Sequence, residues 1–256
     1  AMMAANICAG TLKAGIQVKS LEKKGVPAYA AAQQYEPFKT TIIKQNFRSG
    51  NYLYFMLPGV LLTVFQQVMM LGLALSFASE FENGTFKDLV SKTTNVFELL
   101  LVKITPYLLM SIFIYALYYG FSILYRMPIE IEGFAFWGST ILFLLSVSFL
   151  GTLVSIAIPT QLKATEILMV IATPSFILSG FTWPLSQMPA WVVSIANCIP
   201  LTHYLQIFRT LVIEKGSTDL ILDSILGLAS ITLVTSLLSI LLLQYKIHKM
   251  KKEISN

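Results

Sequence analysis

Few residues in this chain could do chemistry, and their spacing excludes most kinds. The histidines are His203 and His248, and the cysteines are Cys8 and Cys198. A nucleophile and base could be imagined in Ser179 and His203, but Pro200 and Thr202 beside that histidine suit a helix start better than a hydrolase. The chain contains neither a His-Glu-x-x-His pair nor a Gly-x-Ser-x-Gly elbow,. Lys19-Ser20 and Lys92-Thr93 lack the glycine that precedes the lysine of a phosphate-binding loop,. Two cysteines without ligand spacing form no disulfide scaffold and no metal site, and read as apolar packing residues. The sequence therefore predicts no catalytic residue, no metal and no bound cofactor. What remains is an acidic pair, Glu80 and Glu82, running into Asn83-Gly84-Thr85 and Lys87 between two apolar stretches. Asn, Gly and Thr are turn and cap residues, so a short helix with a defined start can follow. A merely solvated loop needs only polarity; residue types alone permit both.

The elements around that polar step are apolar. Of 256 residues, 55% are hydrophobic and only 12% charged, and the mean hydropathy is +0.71. Such a composition excludes an ordinary soluble domain and a disordered chain, and predicts an integral membrane protein. The net charge of +5 does not indicate nucleic acid, because no basic run is interleaved with stacking aromatics. Its densest basic cluster, Lys246, Lys249, Lys251 and Lys252, directly follows an apolar span, as positive-inside topology requires,.

Charge-free lengths place the spans. Ser49 to Ser79 carries no charge, and Leu57-Pro58-Gly59 opens the first complete crossing,. The sequence predicts an all-α polytopic membrane protein with about five transmembrane helices, near 57–79, 104–125, 134–159, 166–181 and 220–244, with a polar loop at 80–103. Gln66 and Gln67 fall inside the first span, where an amide in hydrocarbon needs a partner. They read either as glue between helices or as contacts on a translocation path. With the C-terminal tail in the cytoplasm, Lys87, Lys92, Lys103 and Lys163 fall on its side, and only Arg126, Arg209 and Lys215 remain in the opposite loops,.

The start of the chain is of a different kind. Its first lysine, Lys13, follows the apolar stretch instead of preceding it, so residues 1–24 are not a secretory signal,. Met3 to Lys24 has helical spacing and a Gly25 stop, and 40–47 reads as a strand,. A lone strand is unstable. Residues 1–52 are therefore expected to be the tail of an outer α/β domain in a longer protein, and 53–256 the membrane domain.

Between Ile167 and Phe208 no Asp, Glu, Lys or Arg occurs, yet Pro174, Pro184, Pro189 and Pro200 interrupt the run. Proline removes an amide donor and clashes with the preceding turn, so this cannot be one straight span. The segment reads as a crossing, a turn at Gly180, and a re-entrant hairpin over 182–213, broken backbone that must pack against protein. Here the sequence resembles a known family. Leu178-Ser179-Gly180-Phe181, Pro184, Met188-Pro189-Ala190-Trp191, Pro200-Leu201-Thr202 and Arg209, ending at Lys215-Gly216, are similar in order to the signature of type-2 ABC transporter permeases.

That resemblance implies further expectations. Glu80, Glu82, Gly84, Thr85 and Lys87 match the loop where such permeases dock an ABC ATPase subunit on a short surface helix. ATP and Mg would then be bound by the partner, not by this chain. The permease would work as a homodimer or a paired permease, in contact with membrane lipid, in the cell membrane (the bacterial inner membrane). The outer segment resembles the drug-efflux subgroup, so the expected function is export of a drug-like or lipophilic substrate. The alternative is a passive scaffold or channel component, which has no use for the acidic Gly-Thr loop.

Overall fold

The computed structural model describes residues 2–27, 30, 52–126 and 133–255. The chain divides into two compact units, 1–48 and 49–256. In the first unit, α1 spans Met2–Lys23. It ends as the sequence suggests: Gly25 takes φ +86°, and Val26 N donates to Leu21 O while Gly25 N donates to Glu22 O. This crossed pair satisfies carbonyls the last turn would leave open. The strand expected at 40–47 lies outside the described residues, as does most of the turn after Arg126.

The second unit is a bundle of helices. They are α2 (Tyr52–Glu82), α3 (Phe86–Lys92), α4 (Val96–Leu124), α5 (Phe134–Ala157), α6 (Gln161–Ala172), α7 (Ser175–Leu178), α8 (Ala190–Ala196), α9 (Pro200–Phe208) and α10 (Leu222–Ser255). Among the described residues, five helical stretches are long and apolar enough to cross a membrane: Met56–Glu82, Val96–Leu124, Phe134–Ala157, Gln161–Leu178 and Thr218–Lys252. The protein is thus an all-α polytopic membrane protein. Boundaries differ from the sequence reading: the fourth crossing is Gln161–Leu178 instead of 166–181, the last helical stretch runs on to Lys252, and α4 starts at Val96, so residues 96–103 form its first turns instead of a loop. Asn95 explains the early start, because its side chain accepts from Phe97 N at 3.1 Å and caps the helix,.

Helix α5 is the centre of the bundle, packed between α2 and α10. In hydrocarbon, small residues at helix contacts let backbones approach and hydroxyls bond across the gap. Ser139, Thr140, Ser146, Ser148, Gly151, Thr152 and Ser155 supply that buried face. A Cβ on Gly151 would stand 2.9 Å from Leu73 Cβ of α2. Ser155 Oγ donates to Ala74 O at 2.7 Å and accepts from Phe77 N at 2.9 Å. On the other side, Ser239 Oγ of α10 donates to Phe149 O at 3.2 Å. Helix α4, by contrast, is largely exposed along its length.

Candidate functional site

Two regions carry the residues singled out in the sequence. The first is the elbow where α2 ends and α3 begins. Asn83 N donates to Ser79 O at 2.9 Å, and Gly84 takes φ +75°, a conformation open to glycine at little cost,. Leu89 N then donates to Thr85 O as α3 starts. Phe86 and Val90 are buried, while Lys87, Asp88, Ser91 and Lys92 are exposed. The short helix therefore lies with one face on the bundle and a polar face outward.

The acidic pair braces this elbow. Glu80 accepts from the Thr85 hydroxyl and from Lys103 Nζ at 2.5 Å, joining α2, the start of α3 and α4. Glu82 accepts from Gln161 N at 2.7 Å, so a carboxylate sits on the first turn of α6, where open amides and the helix dipole favour negative charge. Phe81 and Phe86 rings lie 4.6 Å apart, and Lys246 Nζ of α10 stands 4.7 Å over the Phe81 ring, a favourable cation–π placement. Of the residues expected to couple, Glu80 and Thr85 meet, Gly84 makes the turn, Glu82 turns to α6, and Lys87 faces out. Sequence reasoning missed Lys103, Gln161 and Lys246 as members of this cluster, since each lies far from the elbow in the chain.

The second region is the broken segment. The fourth crossing bends at Thr173-Pro174 between α6 and α7. Gly180 takes φ +77°, and a Cβ there would come 2.6 Å from Leu185 Cγ. Phe181 is buried against Gly59 of α2, where a side chain would have no room. Pro184 precedes a single turn at Leu185–Gln187, Met188 is half-buried, and Pro189 precedes α8. Pro200 opens α9 in its first turn, where its missing amide donor costs nothing,. Leu201 and Thr202 are fully buried. Arg209 begins a π-helical turn to Ile213, and its Nε donates to Glu214 Oε1 at 2.9 Å.

Ser179 and His203 have separate partners. Ser179 Oγ donates to Phe176 O at 2.6 Å, and His203 Nε2 bonds to Asn197 O at 2.9 Å. The His203 ring occupies the space left by Gly227 of α10. Gln66 Nε2 donates to Ser175 Oγ and Gln67 Nε2 to Ala172 O, both at 3.4 Å, so both amides tie α2 to the bent fourth crossing.

Neither glutamine lines a cavity of about 650 Å³ walled by α2, α4, α5 and α9. Two of its wall residues, Tyr115 and Thr140, belong to a hydroxyl cluster centred on buried Tyr204. Tyr204 stacks on Phe143 with centroids 4.2 Å apart and planes 5° from parallel; its hydroxyl bonds to Thr140 at 2.8 Å and accepts from Tyr115 at 3.2 Å. The sequence signal for this site was the helical spacing of Tyr115, Tyr118 and Tyr119, a stripe that reads equally well as plain packing.

A helical multi-pass membrane protein with a braced surface helix and a broken fourth crossing is the class these features define. Residues 2–241 match the family described as ABC-2 family transporter protein, and the chain belongs to that family. It is 25% identical over 203 residues to the probable multidrug ABC transporter permease YbhR of Escherichia coli (strain K12), covering 78% of this chain and 55% of that protein. To the probable multidrug ABC transporter permease YbhS of the same organism it is 29% identical over 170 residues, covering 62% of this chain and 42% of the relative. It is also 33% identical over 111 residues to ABC transporter G family member 20 of Dictyostelium discoideum, 41% of this chain and 13% of that protein. The chain spans about half the length of the bacterial relatives it matches. No solved structure matches it significantly.

Proposed function

We propose that this chain is the membrane-spanning part of a permease subunit of an ATP-driven exporter, moved by a separate ABC ATPase that binds and hydrolyses ATP with Mg. The observation that carries the reading is the braced elbow. A push on the outward face of α3 is transmitted through Phe86 and Phe81 to α2 and α10, through Glu80 and Lys103 to α4, and through Glu82 to α6. A passive scaffold has no need to lock one short surface helix to so many crossings.

In this reading Lys87, Asp88, Ser91 and Lys92 meet the ATPase, and Glu80, Glu82, Gly84 and Thr85 keep the docking helix rigid. The elbow and the C-terminal tail lie in the cytoplasm, beneath a bacterial inner membrane, and two permeases pair around the path. Gln66 and Gln67 hold the bent crossing against α2. The multidrug names of two relatives favour a drug-like or lipophilic substrate. Residues 1–52 belong with an outer domain, and 182–213 re-enter the membrane from outside.

The test is co-purification of the protein with an ATPase, followed by ATP hydrolysis and transport in vesicles. Reversing the outward charges with Lys87→Glu and Lys92→Glu should release the ATPase. Gly84→Pro should leave the subunits bound but transport uncoupled from hydrolysis. Normal transport by both the Lys87→Glu/Lys92→Glu variant and Gly84→Pro would refute the coupling assignment.

A further inference from the structure

The cavity between α2, α4, α5 and α9 has walls that select one kind of occupant. None of its lining residues is charged. Its hydroxyls, that of exposed Tyr119 apart, are already engaged: Ser111 donates to Leu108 O, Ser122 to Tyr119 O, and Tyr118 to Leu61 O. Tyr115 and Thr140 are tied to Tyr204. A ligand that needs a hydrogen-bond donor from them would have to break these contacts first, whereas a hydrocarbon tail leaves them intact. The volume of about 650 Å³ falls in the range of small-molecule sites, about 300–1,000 Å³.

The shape of the site adds a second constraint. Along α4 the lining runs from Ser111 to Ser122, a rise of about 16 Å at the α-helical pitch. That is about half of a ~30 Å hydrocarbon core, the depth of one leaflet. Of its lining, Ile112 and Tyr119 of α4 and Trp137 and Ile141 of α5 are exposed, so the cavity opens to the outside between these two apolar helices. A third constraint is electrostatic. One turn beyond Ser122, just after α4 ends at Leu124, stands exposed Arg126. Among the described residues no carboxylate pairs with it. Tyr119, Trp137 and this arginine lie toward the same end of the bundle, the arrangement of a membrane interface, where aromatic rings and basic heads sit at headgroup level. A guanidinium is suited to a phosphate diester.

We propose that the cavity holds one acyl chain of an anionic phospholipid from the leaflet at that end, with the tail lying from Ser122 inward to Ser111 and the headgroup phosphate at Arg126. The site lies within one subunit, and it depends only on the chain's residence in a bilayer, not on the direction or cargo of transport. A lipid seated there fills the gap beside the loosely held α4 and sets how closely that helix approaches α5. The composition of the leaflet thereby acts on the bundle.

The experiment uses the whole protein in nanodiscs of phosphatidylethanolamine and phosphatidylglycerol, with phosphatidylglycerol bearing a diazirine near the end of one acyl chain. After illumination, peptide mapping should place the label on the inner part of the cavity, at Ser111 to Tyr115 of α4 and Thr140 to Leu144 of α5. Ala116→Trp and Leu144→Trp fill the space from opposite walls, and each should cut that labelling at least fivefold while leaving labelling elsewhere on the bundle unchanged; having two variants guards against one that fails to fold. Arg126→Gln should abolish the preference for phosphatidylglycerol over phosphatidylcholine carrying the same probe. Labels scattered along the outer faces and indifferent to both tryptophans would overturn the site. An undiminished preference for the anionic lipid in Arg126→Gln would overturn the headgroup assignment. Displacement of a drug-like probe by the tryptophans without any lipid label would assign the cavity to cargo and overturn the lipid proposal.

Discussion

Gly180→Val should be among the most damaging single substitutions in the chain, and the structure says by how much. Gly180 sits at φ +77°, where an L residue pays about 1–2 kcal/mol for its Cβ. That Cβ would also lie 2.6 Å from Leu185 Cγ, which forces Leu185 off its rotamer at about 0.5–1.5 kcal/mol. The sum, about 1.5–3.5 kcal/mol, corresponds to about 3–14 °C in Tm for a domain of this size. The comparison is Gly138→Val in α5, where an added Cβ meets nothing within 4 Å and a helical backbone suits any L residue. Two further variants separate the contributions. Asn tolerates the left-handed conformation but carries the same Cβ as Ala, so Gly180→Asn should be milder than Gly180→Ala if backbone conformation dominates. The assay is thermal unfolding of purified protein in one detergent, followed by size-exclusion of the heated sample. Equal Tm for Gly180→Val and Gly138→Val would refute the turn, and with it the account of why the fourth crossing reverses there.

Other consequences follow from the same geometry. Gly227→Val should also destabilise, by driving a side chain into the His203 ring; a Tm within a degree or so of the parent would show that the α9 and α10 contact is looser than described. Glu80→Ala and Lys103→Ala should show a coupling of about 1 kcal/mol in a double-mutant cycle, because the pair is only about one-fifth exposed and charge-assisted; strict additivity would deny the brace. Tyr204→Phe removes two hydroxyl contacts but keeps the stack on Phe143, so it should cost about 1–2 kcal/mol, less than Tyr204→Ala at about 3–5 kcal/mol, read from thermal unfolding. In cells, single cysteines at Asn83 and Lys251, in a background without Cys8 and Cys198, should resist an impermeant thiol reagent while one at Ser217 reacts; the reverse pattern would invert the topology.

What the sequence determined by itself are the properties that add up locally. Long charge-free stretches make crossings whatever their neighbours, because transfer of each apolar side chain into lipid is favourable on its own. Gly84 and Gly180 are legible as turn points for the same reason: backbone conformation is a property of one residue and its nearest neighbours. The start of α4 is not legible in this way, since its first turns carry Glu98 and Lys103 and look like loop by hydropathy, while the Asn95 cap and the contact with Glu80 make them helix. Only tertiary structure could decide which polar groups meet. Glu82 finds an amide 79 residues away, Tyr204 finds Thr140 at a separation of 64, and Gln66 finds Ser175 at 109. Such pairs depend on the register of packed helices, and nothing in the spacing along one strand of chain records it. The cavity is a product of the same packing: the aromatic residues that line it look like core in the sequence, and become walls because α4 stands away from α5.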